Sequence, residues 1–240
     1  MEIATRQGPA FGVARIGLGA GEAVRVEAGA MMAMSAGVSL DSKMESGLFK
    51  SMKRATLGGE SFFVTTFTAP EQGGFIDVAA RLPGDVISYD VQPDHAFFIQ
   101  KGSWLAAASS VTIDAKWGGF KNMFGSEGGF IIRAGGNGPV VFGCYGALET
   151  WNLAEGQTIT VDTGHMVAYE DTVNLTLRKV TGGIVQMFKS GEGIVFDFTG
   201  PGKVMTQTRN PNELLGWISA AVGTGNSSPA GGLVGLLNRD

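Results

Sequence analysis

Two histidines, His95 and His165, lie 70 residues apart, each just ahead of an apolar stretch, and Glu22 occupies a similar place nearer the N-terminus. Imidazole nitrogen and carboxylate oxygen are ligands for divalent ions, so a His/His/Glu set gathered on a common axis would make a metal site. Such a set converges only if every member lies near the axis. At the mouth of a strand each of them is also explained as a hydrogen-bonded or solvated turn residue. Glu60, Glu127 and Glu192 form a second set by the same logic, against the plainer reading of turn carboxylates that accept backbone N–H bonds. Cys144 is the single cysteine, which excludes an intramolecular disulfide and a CxxC pair. No base neighbours it in FGCYG, and it reads as a buried structural thiol rather than a nucleophile. Gly17, Gly19 and Gly21 lack the GxGxxG spacing, and no GxSxG, GxxxxGK[ST] or HExxH occurs. No catalytic residue and no cofactor is assigned. His95, His165 and Glu22 stand as metal candidates only.

A different pattern recurs three times: LFKSMKR at 48–54, FKNMF at 120–124 and MFKS at 187–190. The residues that carry it are Phe49, Lys50, Met52, Lys53 and Arg54, then Trp117, Phe120, Lys121, Met123 and Phe124, then Met187, Phe188 and Lys189. Cationic side chains among aromatic and thioether groups suit an anionic membrane surface or a protein partner. The alternative is that Met and Phe fill joints between structural units while the lysines solvate the rim.

The elements that must position these residues are read from glycine, 38 residues of 240. Pairs such as Gly58-Gly59, Gly73-Gly74, Gly118-Gly119 and Gly128-Gly129 punctuate short apolar runs, which is strand-and-turn grammar. Candidate strands fall at 23–27, 62–68, 75–80, 86–91, 96–100, 130–134, 140–145, 158–161, 166–169, 174–179, 193–198 and 203–208, rich in Val, Ile, Phe and Thr. Laying the runs over one another gives an internal repeat. VRVEAGAMMA from Val24 matches FFIQKGSWLA from Phe97 at an offset of 73, and VAYEDTVNLT from Val167 matches Phe97 at 70. Ile76, Val140 and Val204 lie 64 apart each time. The chain is cut at 1–90, 91–161 and 162–210 into β units that bury their faces against one another. From 211 the pattern becomes helical, with Leu214, Leu215, Ile218, Ala221 and Val222 on one side and Asn210 or Asn212 as N-cap. GTGNSSPAGG reads as a flexible linker and GLVGLLNRD as a short apolar end.

Composition narrows the function classes. Hydrophobic residues make up 44% and charged residues 17%, the balance of a folded globular chain. A net charge of −4 and a pI near 5.3 provide no global cationic field, which argues against nucleic acid. The N-terminus lacks the apolar run of a signal peptide, and nowhere do 18 apolar residues run together, so a cytoplasmic protein is expected.

Three pieces are familiar together: the Gly-punctuated β units, GALETWNLAEGQTITVDTGHMVAY at 146–169, and GEGIVFDFTGPGKVMTQTRNP at 191–211. Over residues 10–237 the chain resembles the bacterial and archaeal family of uncharacterised proteins related to the altered-inheritance-of-mitochondria protein 24. The resemblance implies an all-β fold: three β-sandwich units, each like a subunit of the tryptophan RNA-binding attenuation protein, in a pseudo-threefold arrangement. It implies no reaction. The mitochondrial relatives are associated with inner-membrane organisation, a role not carried over to a chain without a targeting extension.

The reading that results is a non-enzymatic, self-associating or partner-binding β scaffold, peripheral to the membrane in one version, and a homo-oligomer. The alternatives are a small-ligand or RNA-binding module, resting on fold analogy that transfers function poorly, and a metal-dependent enzyme built on the histidines.

Overall fold

Short apolar runs bounded by glycine turns form nineteen strands in the computed structural model, which describes residues 1–41, 64–116, 131–179 and 194–222. Strand β1 (Glu2–Arg6) is followed by three successive sets of six. The first set comprises β2 (Val13–Leu18), β3 (Ala23–Glu27), β4 (Met31–Met34), β5 (Ser39–Asp41), β6 (Val64–Thr68) and β7 (Gly74–Ala79). The second comprises β8 (Val86–Val91), β9 (Phe97–Gln100), β10 (Trp104–Ala108), β11 (Val111–Lys116), β12 (Ile131–Gly136) and β13 (Gly138–Gly143). The third comprises β14 (Leu148–Leu153), β15 (Thr158–Asp162), β16 (Met166–Glu170), β17 (Asn174–Lys179), β18 (Ile194–Thr199) and β19 (Gly202–Gln207). The fold is all-β.

Every set uses the same antiparallel connections. The sixth strand lies between the first and the third, and the fifth between the second and the fourth. Even the irregularity is shared: the third strand shifts register between Met31 and Ala33, between Trp104 and Ala106, and between Met166 and Ala168. A bulge of this kind turns the strand and raises its local twist. Successive sets are joined edge to edge, β3 to β10 and β9 to β16. The sheets therefore run β1-β2-β7-β4, β5-β6-β3-β10-β13-β8, β11-β12-β9-β16-β19-β14 and β15-β18-β17. A closed ring of three sets would need a third joint, between β15 and β4, and among the described residues each of these strands ends its sheet.

Burial follows the joints. Ile16, Ile76 and Val78 face Val24, Val26 and Phe67 in the first core, which also takes in Leu105, Ala106 and Val141 from the second set. The second core, around Phe97, Ile132, Trp104 and Phe142, takes in Val167, Ala168 and Met205 from the third. The third gathers Leu153, Met166 and Val204 with Phe196 and Phe198. Strands at a joint are thus covered on both faces, and β10 (WLAAA) is buried along its whole length. Its alanines let the neighbouring layers approach. Arg25 on β3 braces the same joint, its guanidinium donating to the carbonyls of Ala108, Ser109 and Val111.

The structure departs from the sequence reading in its boundaries. The cuts at 90 and 161 fall inside β8 and β15, whose partners β13 and β18 both lie on the C-terminal side of those cuts. Hydrogen bonding places the breaks between Ala79 and Val86 and between Gly143 and Leu148. Strands β1, β2, β4, β5, β10, β11 and β14 were absent from the candidate runs. MMAM has no β-branched or aromatic residue and WLAAA has Trp104 alone, short of the composition that marks strands, and burial on both faces removes the alternation in β10.

The C-terminal unit begins at Asn210. Its helix α1 (Pro211–Val222) opens with the Asn210 side chain accepting the Asn212 N–H at 2.9 Å, and Pro211 at the first turn sacrifices no helical hydrogen bond. No residue of α1 is buried. The linker and apolar end expected beyond it fall outside the described residues, and no described helix is long and apolar enough to cross a membrane.

Leu105→Ala, at a β10 residue buried in the first core, is expected to lower the unfolding free energy by about 3 kcal/mol. Leu105→Met should cost less than about 1.5 kcal/mol, as read by denaturant unfolding.

Candidate functional site

Strand register decides which residues occupy equivalent places. Phe97 pairs with Ala134 and Ile159 with Phe198, and Ala134 and Phe198 stand at the same step of their sets. The strings VRVEAGAMMA (24–33), FFIQKGSWLA (97–106) and ITVDTGHMVA (159–168) therefore correspond, at offsets of 73 and 62. The overlay of Val167 on Phe97 at 70 is corrected: Val167 lies on β16, which is the hydrogen-bonded neighbour of β9 and corresponds to β10.

The histidine set changes with it. Glu22 and His95 do occupy one place, and the third position is Gln157, not His165. All three close the same turn, with N–H donated to a carbonyl three residues back: Glu22 to Gly19 at 3.1 Å, His95 to Gln92 at 3.1 Å and Gln157 to Ala154 at 3.0 Å. Glu22 and Gln157 also accept the backbone N–H of Gly19 and Ala154 through their side chains. Glu22 further meets the N-terminal amine at 2.9 Å. His165 ends a 3₁₀ turn, Thr163–His165, capped by Asp162, and its Nδ1 lies 2.7 Å from the Gln207 carbonyl. Among the described residues no group of three His, Cys, Asp or Glu is placed to hold a metal ion. Glu60, Glu127 and Glu192 lie outside the described residues, as do all thirteen FK-Met residues: Phe49, Lys50, Met52, Lys53, Arg54, Trp117, Phe120, Lys121, Met123, Phe124, Met187, Phe188 and Lys189.

Cys144 is buried, its Sγ 3.3 Å from the Gly146 carbonyl. Burial pushes its pKa up to about 11, so it stays a thiol at neutral pH. The remaining charges brace sheets. Asp77 on β7 accepts paired hydrogen bonds from Arg15 on β2 and from Arg6 on β1, at 2.7 to 3.2 Å. The Arg15 guanidinium also lies 3.9 Å from the Phe75 ring centre. On the third set, Arg178 and Thr160 converge on Asp197. Between the second and third sets, Tyr89 on β8 accepts from Lys203 at 3.1 Å and donates to Glu170 at 3.2 Å. An open groove of about 290 Å³ is lined by Phe11, Val13, Ala79, Ala80, Arg81 and Leu82, and Arg81 there reaches back to the Ala28 carbonyl and Glu27.

Among the described residues the fold leaves several large apolar side chains uncovered. Met31, Met32 and Met34 on β4 are 36%, 53% and 37% exposed, whereas Trp104, Leu105 and Ala107 at the same places of β10, and Met166 and Val167 on β16, are buried. Leu40 on β5, which pairs with β6 in the other sheet of the first set, is exposed too.

The family model described as AIM24, mitochondrial biogenesis, matches residues 4–209. The chain belongs to the AIM24 family. An uncharacterised protein of Streptococcus pyogenes serotype M6 is 25% identical over 225 residues, covering 90% of this chain and 89% of that protein. The crystal structure of a Streptococcus pyogenes protein solved by structural genomics superposes with a TM-score of 0.76 at 23% identity, covering 92% of this chain and 99% of that one. That likeness shows the fold.

In this AIM24-family chain the sequence reading passed over the β4 methionines. The signal lay in the first overlay, where AMMA aligns with SWLA: the same positions are large and apolar in both strings, so their difference in exposure is a difference in what covers them.

Hydrogen bonds from Arg15 and then Arg6 hold the Asp77 carboxyl well below the usual carboxylate range, against the opposing effect of its burial. The folded chain therefore binds fewer protons than the unfolded one near the ordinary carboxylate pKa of about 4. This contribution to stability is full above that pH and is lost as pH falls through the depressed folded value. Asp77→Asn is expected to lower stability at pH 7 and to make the acid limb below about pH 4 shallower, measured by chemical unfolding across pH.

Proposed function

We propose that this protein is a non-enzymatic, self-associating β scaffold built from three repeated sandwich units. The observation that carries the reading is the methionine edge at β4, exposed where its two counterparts inside the chain are buried. An uncovered apolar strand edge is a site for pairing with another chain, and here it is part of a connection scheme that already joins sets within the chain. The charged groups support the same reading: Asp77, Asp197 and Glu170 are engaged in cross-strand bracing. Sedimentation velocity at micromolar concentration is expected to give a mass above that of one 25.0 kDa chain. A single-chain mass at every concentration overturns the reading.

A second reading, peripheral membrane association, is favoured by helix α1, which exposes Leu215, Trp217, Ile218 and Val222. Its one charged residue is Glu213, so insertion at the headgroup boundary would run on apolar burial without attraction to anionic lipid. Equal flotation with neutral and anionic vesicles, insensitive to salt and lost in Leu215→Ser/Trp217→Ser, is the expected result. Binding to anionic vesicles alone would take the contact away from α1.

A further inference from the structure

Resting on the scaffold reading, we infer that β15 of one copy pairs antiparallel with β4 of a second copy, in a register the chain itself dictates. At the two internal joints the second strand of one set lies against the third strand of the next: Val26 opposite Ala106, Arg25 opposite Ala107 and Val24 opposite Ala108, then Ile99 opposite Ala168, Phe98 opposite Tyr169 and Phe97 opposite Glu170. The second strand of the last set is β15 and the third strand of the first set is β4. They are the two members of this connection scheme that end their sheets among the described residues. Applying the same register places Val161 opposite Ala33, Thr160 opposite Met34 and Ile159 opposite Ser35.

Side-chain sizes match at the crossing point. Each internal joint sets a β-branched residue, Val26 or Ile99, against an alanine, Ala106 or Ala168. The open edges present Val161 and Ala33, the same combination. Exposure matches as well, since Ile159 and Val161 are half-buried where Val24, Val26, Phe97 and Ile99 are buried, and the β4 methionines are exposed. Thr160 Oγ1 and Ser35 Oγ are bonded within their own sheets, to Asp197 and to the Phe75 N–H, so the new contact is made by main-chain ladder and apolar side chains. That is strand addition at a sheet edge, with the main chain supplying affinity and the pattern of side chains supplying register. Because each copy offers β4 at one end of the series and β15 at the other, the contact is head to tail and generates a ring or a filament.

The test is oxidative cross-linking of the full chain. Met34→Cys protein and Thr160→Cys protein, mixed and oxidised, are expected to give a reducible species of twice the chain mass, with peptide mapping placing the bond between positions 34 and 160. Each variant oxidised alone should give little of it. Met32→Lys/Met34→Lys, tested by sedimentation, should shift the protein to single-chain mass while leaving its thermal unfolding cooperative. The inference is overturned if a single chain carrying both Met34→Cys and Thr160→Cys closes the bond within itself and the mixture gives no dimer, or if no bond forms in either. In those cases an unsubstituted protein that still sediments above one chain mass keeps the scaffold reading and moves the contact elsewhere, whereas a single-chain mass removes both.

Discussion

A β-strand carries hydrogen-bonding groups along both edges, and each sheet must either satisfy them or leave them to solvent and other chains. In this protein that constraint is met set by set. Six strands fold into two three-stranded sheets, and the second strand of one set and the third strand of the next supply each other's missing ladder. The β3–β10 and β9–β16 joints each merge two three-stranded sheets into a sheet of six and bury the strands that meet. The hydrophobic cores depend on those joints, because Leu105 and Ala106 complete the core of the preceding set and Val167 and Ala168 do the same one step later. Among the described residues β15 and β4, one strand of each kind, end their sheets.

Side-chain chemistry is subordinate to that architecture. Carboxylates and guanidiniums are placed across neighbouring strands, Asp77 between Arg6 and Arg15, Asp197 against Arg178, where they fix strand order and orientation. Glu22, His95 and Gln157 close one recurrent turn at the entrance to the second strand. Their residue types differ because the turn is held by a backbone hydrogen bond that any of them can donate. This explains why a list of titratable residues drawn from the sequence acquired the look of a site.

The all-β class, the terminal helix and two of the overlays were legible because glycine positions survive in the sequence as turn markers. Gly29 and Gly102 adopt positive φ, +88° and +84°, at the turn between the second and third strands, and that pair fixed the offset of 73. The third copy has Gly164 at this place, inside a 3₁₀ turn. Following the glycine would have given 62 instead of 70. The overlay at 70 rested on apolar pattern alone and fell on the wrong strand, since a period of two cannot tell one buried strand from its neighbour. The same blindness hid β4 and β10: MMAM on β4 and WLAAA on β10 carry no alternation of apolar and polar residues, and only pairing reveals them.

The claim at the centre of this account is that β4 and β15 are one interrupted joint. Amide hydrogen exchange across a dilution series reads it directly. With increasing protein concentration, protection at Met34 and Thr160 should rise toward that of Ala107 and Tyr169 at the internal joints, and no comparable change should appear on β12 or β18. Protection of β4 and β15 that is the same at every concentration, in a protein whose mass does change, would contradict it.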